Sequence, residues 1–397
     1  MPNSRHLPSG FARTMIGAGL FAGAAVGAIA TARARGLSLP REQPESVANW
    51  QRVQAIATSM NRTDTLSMAQ RTTLDREYRI LVERCLPLVS SYMQVSIPSP
   101  VERTFAFDRV DWINANIEAF RNLLAPIDEF LLEPGKRRSV VGSMLGGMNR
   151  QVVSGEMGVL LGYLSRRVLG QYDLALIDTE RSGPGKLYFV QPNIEQTEAT
   201  LALPADQFRL WLALHETTHV FQFEGFAWVR PYFQGLLHEY FEFLKSDLGE
   251  LRNDLQSMRV MAERVRTNRD PGKSWLESLM TEQQRDVFYR IQALMCIIEG
   301  YSNHVMNAVG KELMVNYDEI ATRFAKRQRS KGRSDMLLAR LTGLDVKLEQ
   351  YRLGEEFIDK IVGVRGPEIG SRLWSGPEFL PTMEELHDPQ GWLKRAD

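Results

Sequence analysis

Five residues in the middle of the chain restrict its fold more than any other feature. His215-Glu216-Thr217-Thr218-His219 stand in a stretch that also carries Phe208, Trp211, Leu212, Leu214, Val220 and Phe223. Pro204 opens the stretch and Gly225 closes it, which predicts a helix over residues 205–223. A helix apolar over most of its circumference belongs in an interior. Two imidazoles and a carboxylate carried there are costly unless each finds a partner. The histidines are four residues apart, so they share one face and can reach a single metal ion. Zn²⁺ takes neutral imidazole nitrogens, and a catalytic zinc keeps three protein ligands and an open position for water. Glu216, beside the first histidine, is placed to take a proton from that water.

The third ligand must come from elsewhere. A histidine six residues after His219 would complete one common pattern, but Gly225 holds that position. A carboxylate from another helix is the remaining common solution. Glu239 lies 20 residues beyond His219, a spacing similar to that of thermolysin-like enzymes. Glu299 lies in the apolar run Leu294-Met-Cys-Ile-Ile-Glu-Gly-Tyr-Ser-Asn-His-Val-Met306, where a carboxylate needs a partner. Glu239 is flanked by Tyr240, Glu242 and Lys245, as on an amphipathic surface helix. Burial therefore favours Glu299, with Glu239 the runner-up.

Helix geometry orders the neighbours of Glu299. Asn303, one turn on, is placed to hydrogen-bond a ligand imidazole. His304 points about 140° away on a regular helix, which suits the cleft rather than the metal. Tyr301, His304 and Tyr232 are candidate donors to a developing oxyanion. Trp228, Tyr232 and Phe233 follow the histidine helix as pocket wall or as core. His238 reads as a surface residue, and nothing chemical gathers around His6 or His387.

The remaining composition excludes several classes. The 397 residues are 44% hydrophobic and 24% charged, values of a globular chain long enough to bury a core without staples. Lys+Arg and Asp+Glu balance at 48 each, so no overall field favours nucleic acid. Only Cys85 and Cys296 occur, which rules out a disulfide framework and a cysteine zinc cluster. Both read as buried thiols.

Residues 15–32 carry no charge and repeat glycine at positions 19, 23 and 27, with Arg5 and Arg13 before them and Arg33, Arg35 and Arg41 after. Their length suits a single membrane anchor; a cleaved signal and a soluble helical arm are the alternatives, and the basic flanks leave the side of the membrane open. The expected organisation is thus an anchor or signal-like segment over 1–36, a linker over 37–47 and one domain over 48–397.

Within that domain the apolar spacing predicts helices over 112–132 and 151–169, the second with Gly155, Gly158 and Gly162 for close packing. Residues 172–177 and 187–190 read as strands of a hairpin about the turn Arg181-Ser-Gly-Pro-Gly-Lys. Residues 323–340 are rich in Lys and Arg and read as a solvated loop and helix face. The fold class is α+β, predominantly helical, with a small sheet.

Several stretches together resemble the zincin-like metallopeptidase family found in actinobacteria and Chloroflexi. They are Val168-Leu-Gly-Gln-Tyr-Asp173, Pro192-Asn-Ile194, Phe208-Arg-Leu-Trp-Leu-Ala-Leu-His-Glu-Thr-Thr-His219, Glu299-Gly-Tyr301, His304-Val-Met306 and Gly343-Leu-Asp-Val-Lys-Leu-Glu-Gln-Tyr-Arg-Leu-Gly354. Some relatives carry labels linking them to deazaflavin coenzyme biosynthesis. The resemblance implies a zincin-type fold with the histidine helix beneath a small sheet, and zinc held by His215, His219 and Glu299. The family's substrates are undefined; the leading expectation is a zinc-dependent metallopeptidase, or another amide hydrolase, acting on a peptide or protein, with an edge strand, for which residues 187–190 are a candidate, holding the substrate. The rival class is a membrane-tethered binding or scaffold protein with a structural zinc site.

Overall fold

A computed structural model describes residues 46, 48–61, 65–132, 150–172, 184–253, 280–329 and 345–396. In chain order the main elements are α1 (Trp50–Ser59), α2 (Met68–Met93), β1 (Thr104–Phe107), α3 (Arg109–Leu132), α4 (Arg150–Leu164), β2 (Gly170–Tyr172), β3 (Leu187–Val190), α5 (Gln191–Leu201), α6 (Ala205–Glu224), α7 (Val229–Asn253), α8 (Glu282–Leu313), α9 (Tyr317–Arg329) and α10 (Asp345–Arg365). Three short helices follow: α11 (Glu368–Arg372), α12 (Met383–His387) and α13 (Pro389–Ala396).

Local chemistry sets the helix ends. Ser67 with Gln70 and Thr281 with Gln284 form capping boxes that start α2 and α8. Asp108 accepts from the backbone N–H groups of Val110 and Asp111, so α3 begins at Arg109, three residues before the apolar spacing predicts. The helix predicted over 151–169 ends at Leu164. There Asn193 of α5 donates to the carbonyls of Ser165 and Val168 and turns the chain into β2. Gly158 and Gly162 let α4 lie against Ile56, Ala57 and Met60 at α1, whereas Gly155 faces open space. Of the basic stretch, Arg323 caps the end of α5 through the carbonyls of Leu201 and Ala202, and residues 330–344 lie outside the described residues.

The sheet corrects the hairpin. β3 is where the short apolar run places it, but it is the central strand: β2 pairs with it antiparallel and β1 pairs with it parallel. The second strand runs over 170–172 rather than 172–177, and residues 173–183 lie outside the described residues. All four residues of β3 are buried, with Phe189 stacked on Tyr78 of α2 at 4.2 Å. A central strand has no free edge, so residues 187–190 do not hold a peptide; β2 and β1 carry the edges.

The core lies around α6, which is buried continuously from 210 to 223. It packs against α2, α8 and β2, and α8 packs along α10 in the most extensive helix pair of the fold. That crossing runs through two glycines: a Cβ on Gly300 would lie 2.3 Å from the Gly354 carbonyl carbon, and one on Gly354 would lie 2.0 Å from Cys296 O. Among the described residues no helix is long and apolar enough to cross a membrane, and the 15–32 segment lies outside them.

Two outcomes follow. Gly354→Ala should destabilise by about 1–3 kcal/mol because its methyl meets backbone. Gly363→Ala, exposed on the same helix with nothing within 4 Å, should stabilise by up to about 1 kcal/mol; equal melting temperatures for the two variants would contradict the crossing. Burial also pushes the Cys85 thiol up to about 12, and Cys296 is buried too, so a thiol reagent at pH 8 should titrate neither until denaturant is added.

Candidate metal centre

The mid-helix placement of His215 and His219 aims both rings at α8. Their Nε2 atoms lie 3.3 Å apart. Glu299 of α8, 0% exposed, brings Oε1 to 3.7 Å from His219 Nε2 and Oε2 to 3.9 Å from His215 Nε2. Two nitrogens bound to one tetrahedral zinc sit about 3.4 Å apart, and ligand atoms farther apart than about 4.1 Å could not share it. The three side chains therefore fit one ion of that size. Among the described residues no other group of three His, Cys, Asp or Glu side chains converges in this way.

The outer nitrogen of each ring is engaged. His219 Nδ1 lies 2.7 Å from Gln222 Oε1, and Gln222 Nε2 donates to Ile298 O at 2.7 Å. His215 Nδ1 faces Ser302 Oγ at 3.0 Å and Met306 Sδ at 3.1 Å. Trp211 lies parallel to the His215 ring. Burial holds the His215 imidazole well below its ordinary range, with His219 adding to the effect, and brings His219 down to about 4. Both rings are thus neutral at pH 7, the form that binds a metal.

Glu216 points from α6 at the edge of the sheet. Val190 N–H bonds Leu169 O, so the antiparallel register turns the main-chain groups of Gly170 and Tyr172 away from β3 and outward. The Glu216 carboxylate accepts from the Tyr172 N–H. It fits because residue 170 has no side chain: a Cβ there would lie 2.6 Å from Glu216 Oε1. Glu216 Oε2 is buried with no hydrogen-bond partner. Burial pushes this carboxyl well above the usual carboxylate range and Glu299 pushes it further, while the Tyr172 N–H pulls back.

The other singled-out residues divide. The Glu239 side chain is 44% exposed and pairs with Arg290 of α8 at 3.5 Å, so it stands apart from the cluster. Asn303 donates to Glu355 of α10 at 3.1 Å instead of to an imidazole. His304 is committed on both nitrogens, to Asp359 at 2.9 Å and the Tyr92 hydroxyl at 2.7 Å. Tyr301 packs edge-on against Trp374, and burial pushes its phenol above the ordinary range. Tyr232 lies beside Trp228 and under the Arg290 guanidinium, and Phe233 is core.

Gln222, Ser302, Met306, Gly170 and Tyr172 enter the site without having been singled out from the sequence. Gln222 was within reach of the helix rule, since it follows His215 by seven residues and His219 by three. Ser302 and Met306 bear the same relation to Glu299.

Residues 48–393 match the zincin-like metallopeptidase family. The chain is also similar to a crystal structure from Chloroflexus aurantiacus described as a "putative hydrolase with a novel fold", at 36% identity and a TM-score of 0.65, over 88% of this chain and 98% of that one. No curated protein matches the chain. With the family match spanning both the histidine helix and Glu299, the chain belongs to the zincin-like metallopeptidase family.

Proposed function

We propose that this chain is a zinc-dependent peptidase in which His215, His219 and Glu299 hold the metal and Glu216 is the general base. The observation that carries the reading is the buried Glu216 carboxylate: Oε2 is unpartnered, and the group feels the charge of Glu299, one of the three converging ligand side chains. Zn²⁺ at that cluster supplies a Lewis acid for a scissile carbonyl and a water of lowered pKa.

Glu216 then accepts the proton of the attacking water and returns it to the leaving amine. The Tyr172 N–H and the empty side-chain position of Gly170 hold the carboxylate in place. The substrate is an extended peptide or another amide; with the Tyr172 N–H held by Glu216, the outward main-chain groups of β2 left to meet it are those of Gly170 and the Tyr172 carbonyl. One observation favours the rival reading, a scaffold with a structural metal: all four side chains of the cluster are buried. Against it stands Glu216, which a structural site has no use for.

Metal analysis of the full chain should find about one zinc per molecule. Glu299→Ala should lose it, and Glu239→Ala should keep it; the reverse pattern would move the third ligand to Glu239. Glu216→Gln should retain zinc and lose hydrolysis of a quenched-fluorescent peptide library by about 10²–10⁴-fold. Full turnover by that variant would remove Glu216 from the mechanism, and silence of the parent on every peptide would favour the scaffold.

A further inference from the structure

We infer that Gln222 is a positioning residue: its side-chain amide fixes the tautomer and orientation of His219 and ties that ring to the main chain beside Glu299. The consequence for metal binding rests on the proposed His215–His219–Glu299 ligand set; the hold on the ring does not.

Gln222 is fully buried on α6, with Nε2 at 2.7 Å from Ile298 O and Oε1 at 2.7 Å from His219 Nδ1. A backbone carbonyl only accepts, so the NH₂ end of the amide must face Ile298. Oε1, which also only accepts, is then left against His219 Nδ1. The ring must carry its hydrogen on Nδ1 and present a bare lone pair at Nε2. That nitrogen faces His215 Nε2 and Glu299 Oε1. The tautomer a metal requires is therefore set before any metal arrives.

The same amide spans two helices. Ile298 precedes Glu299, so one side chain of α6 grips a ring on its own helix and the neighbouring helix next to the carboxylate. Sliding α8 past α6 would break a buried bond for which no water substitutes. His215 is held differently, by Ser302 and Met306 of α8. A hydroxyl rotates and a thioether accepts weakly, so neither dictates a tautomer by elimination. Each ring is thus braced from a different helix. Gln222 is also neutral. A carboxylate at this position would orient the ring equally well, but it would put a third anion beside Glu216 and Glu299 in the same interior.

Long-range ¹H–¹⁵N correlation on the metal-free full chain, labelled at the histidine rings and recorded at pH 8, reads the tautomer directly. His219, identified by the signal lost in His219→Gln, should appear as the Nδ1–H form. Gln222→Met, similar in length but unable to make either bond, should lose that preference. Its zinc affinity, measured by competition with a chromophoric chelator, should fall about 10–100-fold. Gln222→Glu, which keeps an acceptor for Nδ1, should keep the Nδ1–H form. An Nδ1-bare His219 in the parent overturns the inference without recourse to any variant, and so does an unchanged tautomer in Gln222→Met. Zinc affinity that is equal in parent and Gln222→Met overturns the link to the metal. A parent that shows the predicted tautomer but binds no zinc upholds the hold on the ring and overturns the proposed ligand set instead.

Discussion

Two carboxylates and two imidazoles are buried together, and the surrounding fold is organised by what that burial demands. Glu216 and Glu299 lie close enough for each to raise the cost of charging the other. Burial keeps the histidines neutral, so they offer the carboxylates no positive charge. A divalent cation would remove the conflict at one stroke, since both carboxylates would attract it and both imidazole lone pairs could bind it. The architecture serves that requirement. α6 and α8 must approach closely, the outer ring nitrogens must be satisfied locally, and a strand edge must come near enough to touch Glu216.

Parts of this were legible in the sequence because they depend on short-range rules. The histidine helix was readable because proline, glycine and a one-turn repeat all concern neighbours along the chain, and it runs from Ala205 to Glu224, within one residue of the predicted end. Glu299 was readable from the same desolvation logic that singled out the histidines. Partners reached across the fold were not. Asn303 lies on the predicted face of α8, but Glu355 of α10 claims its amide, and no spacing rule reports the approach of a third helix. His304 likewise belongs to Asp359 and Tyr92. β1, as short as β3, escaped notice because no glycine-rich turn flags it as Arg181-Ser-Gly-Pro-Gly-Lys flags β3, and its parallel partner lies some 80 positions away. Placing β3 at the centre depends on finding β1 first.

The groups that complete the site beyond its acids and bases are mostly neutral. An amide, a hydroxyl, a thioether, a backbone N–H and a missing side chain surround the ionisable groups. Such residues are common everywhere in proteins, so composition does not mark them. Their contribution is directional: each fixes where a lone pair or a hydrogen points, and none adds to the charge already enclosed. The site therefore owes its ionisable groups to few residues and its geometry to many.

The contact between Gly300 and Gly354 has a mechanical side. Where side chains interdigitate, two helices can shift by repacking rotamers, and the interface behaves as a deformable cushion. Main chain against main chain has no such compliance. The crossing of α8 and α10 then acts as a fulcrum: bending of either helix turns about that point, and displacement grows with distance from it. Glu299 is the residue next to the fulcrum and has almost no lever arm. Bending about that point would displace the far ends of the two helices more than it displaces the carboxylate that faces the histidines.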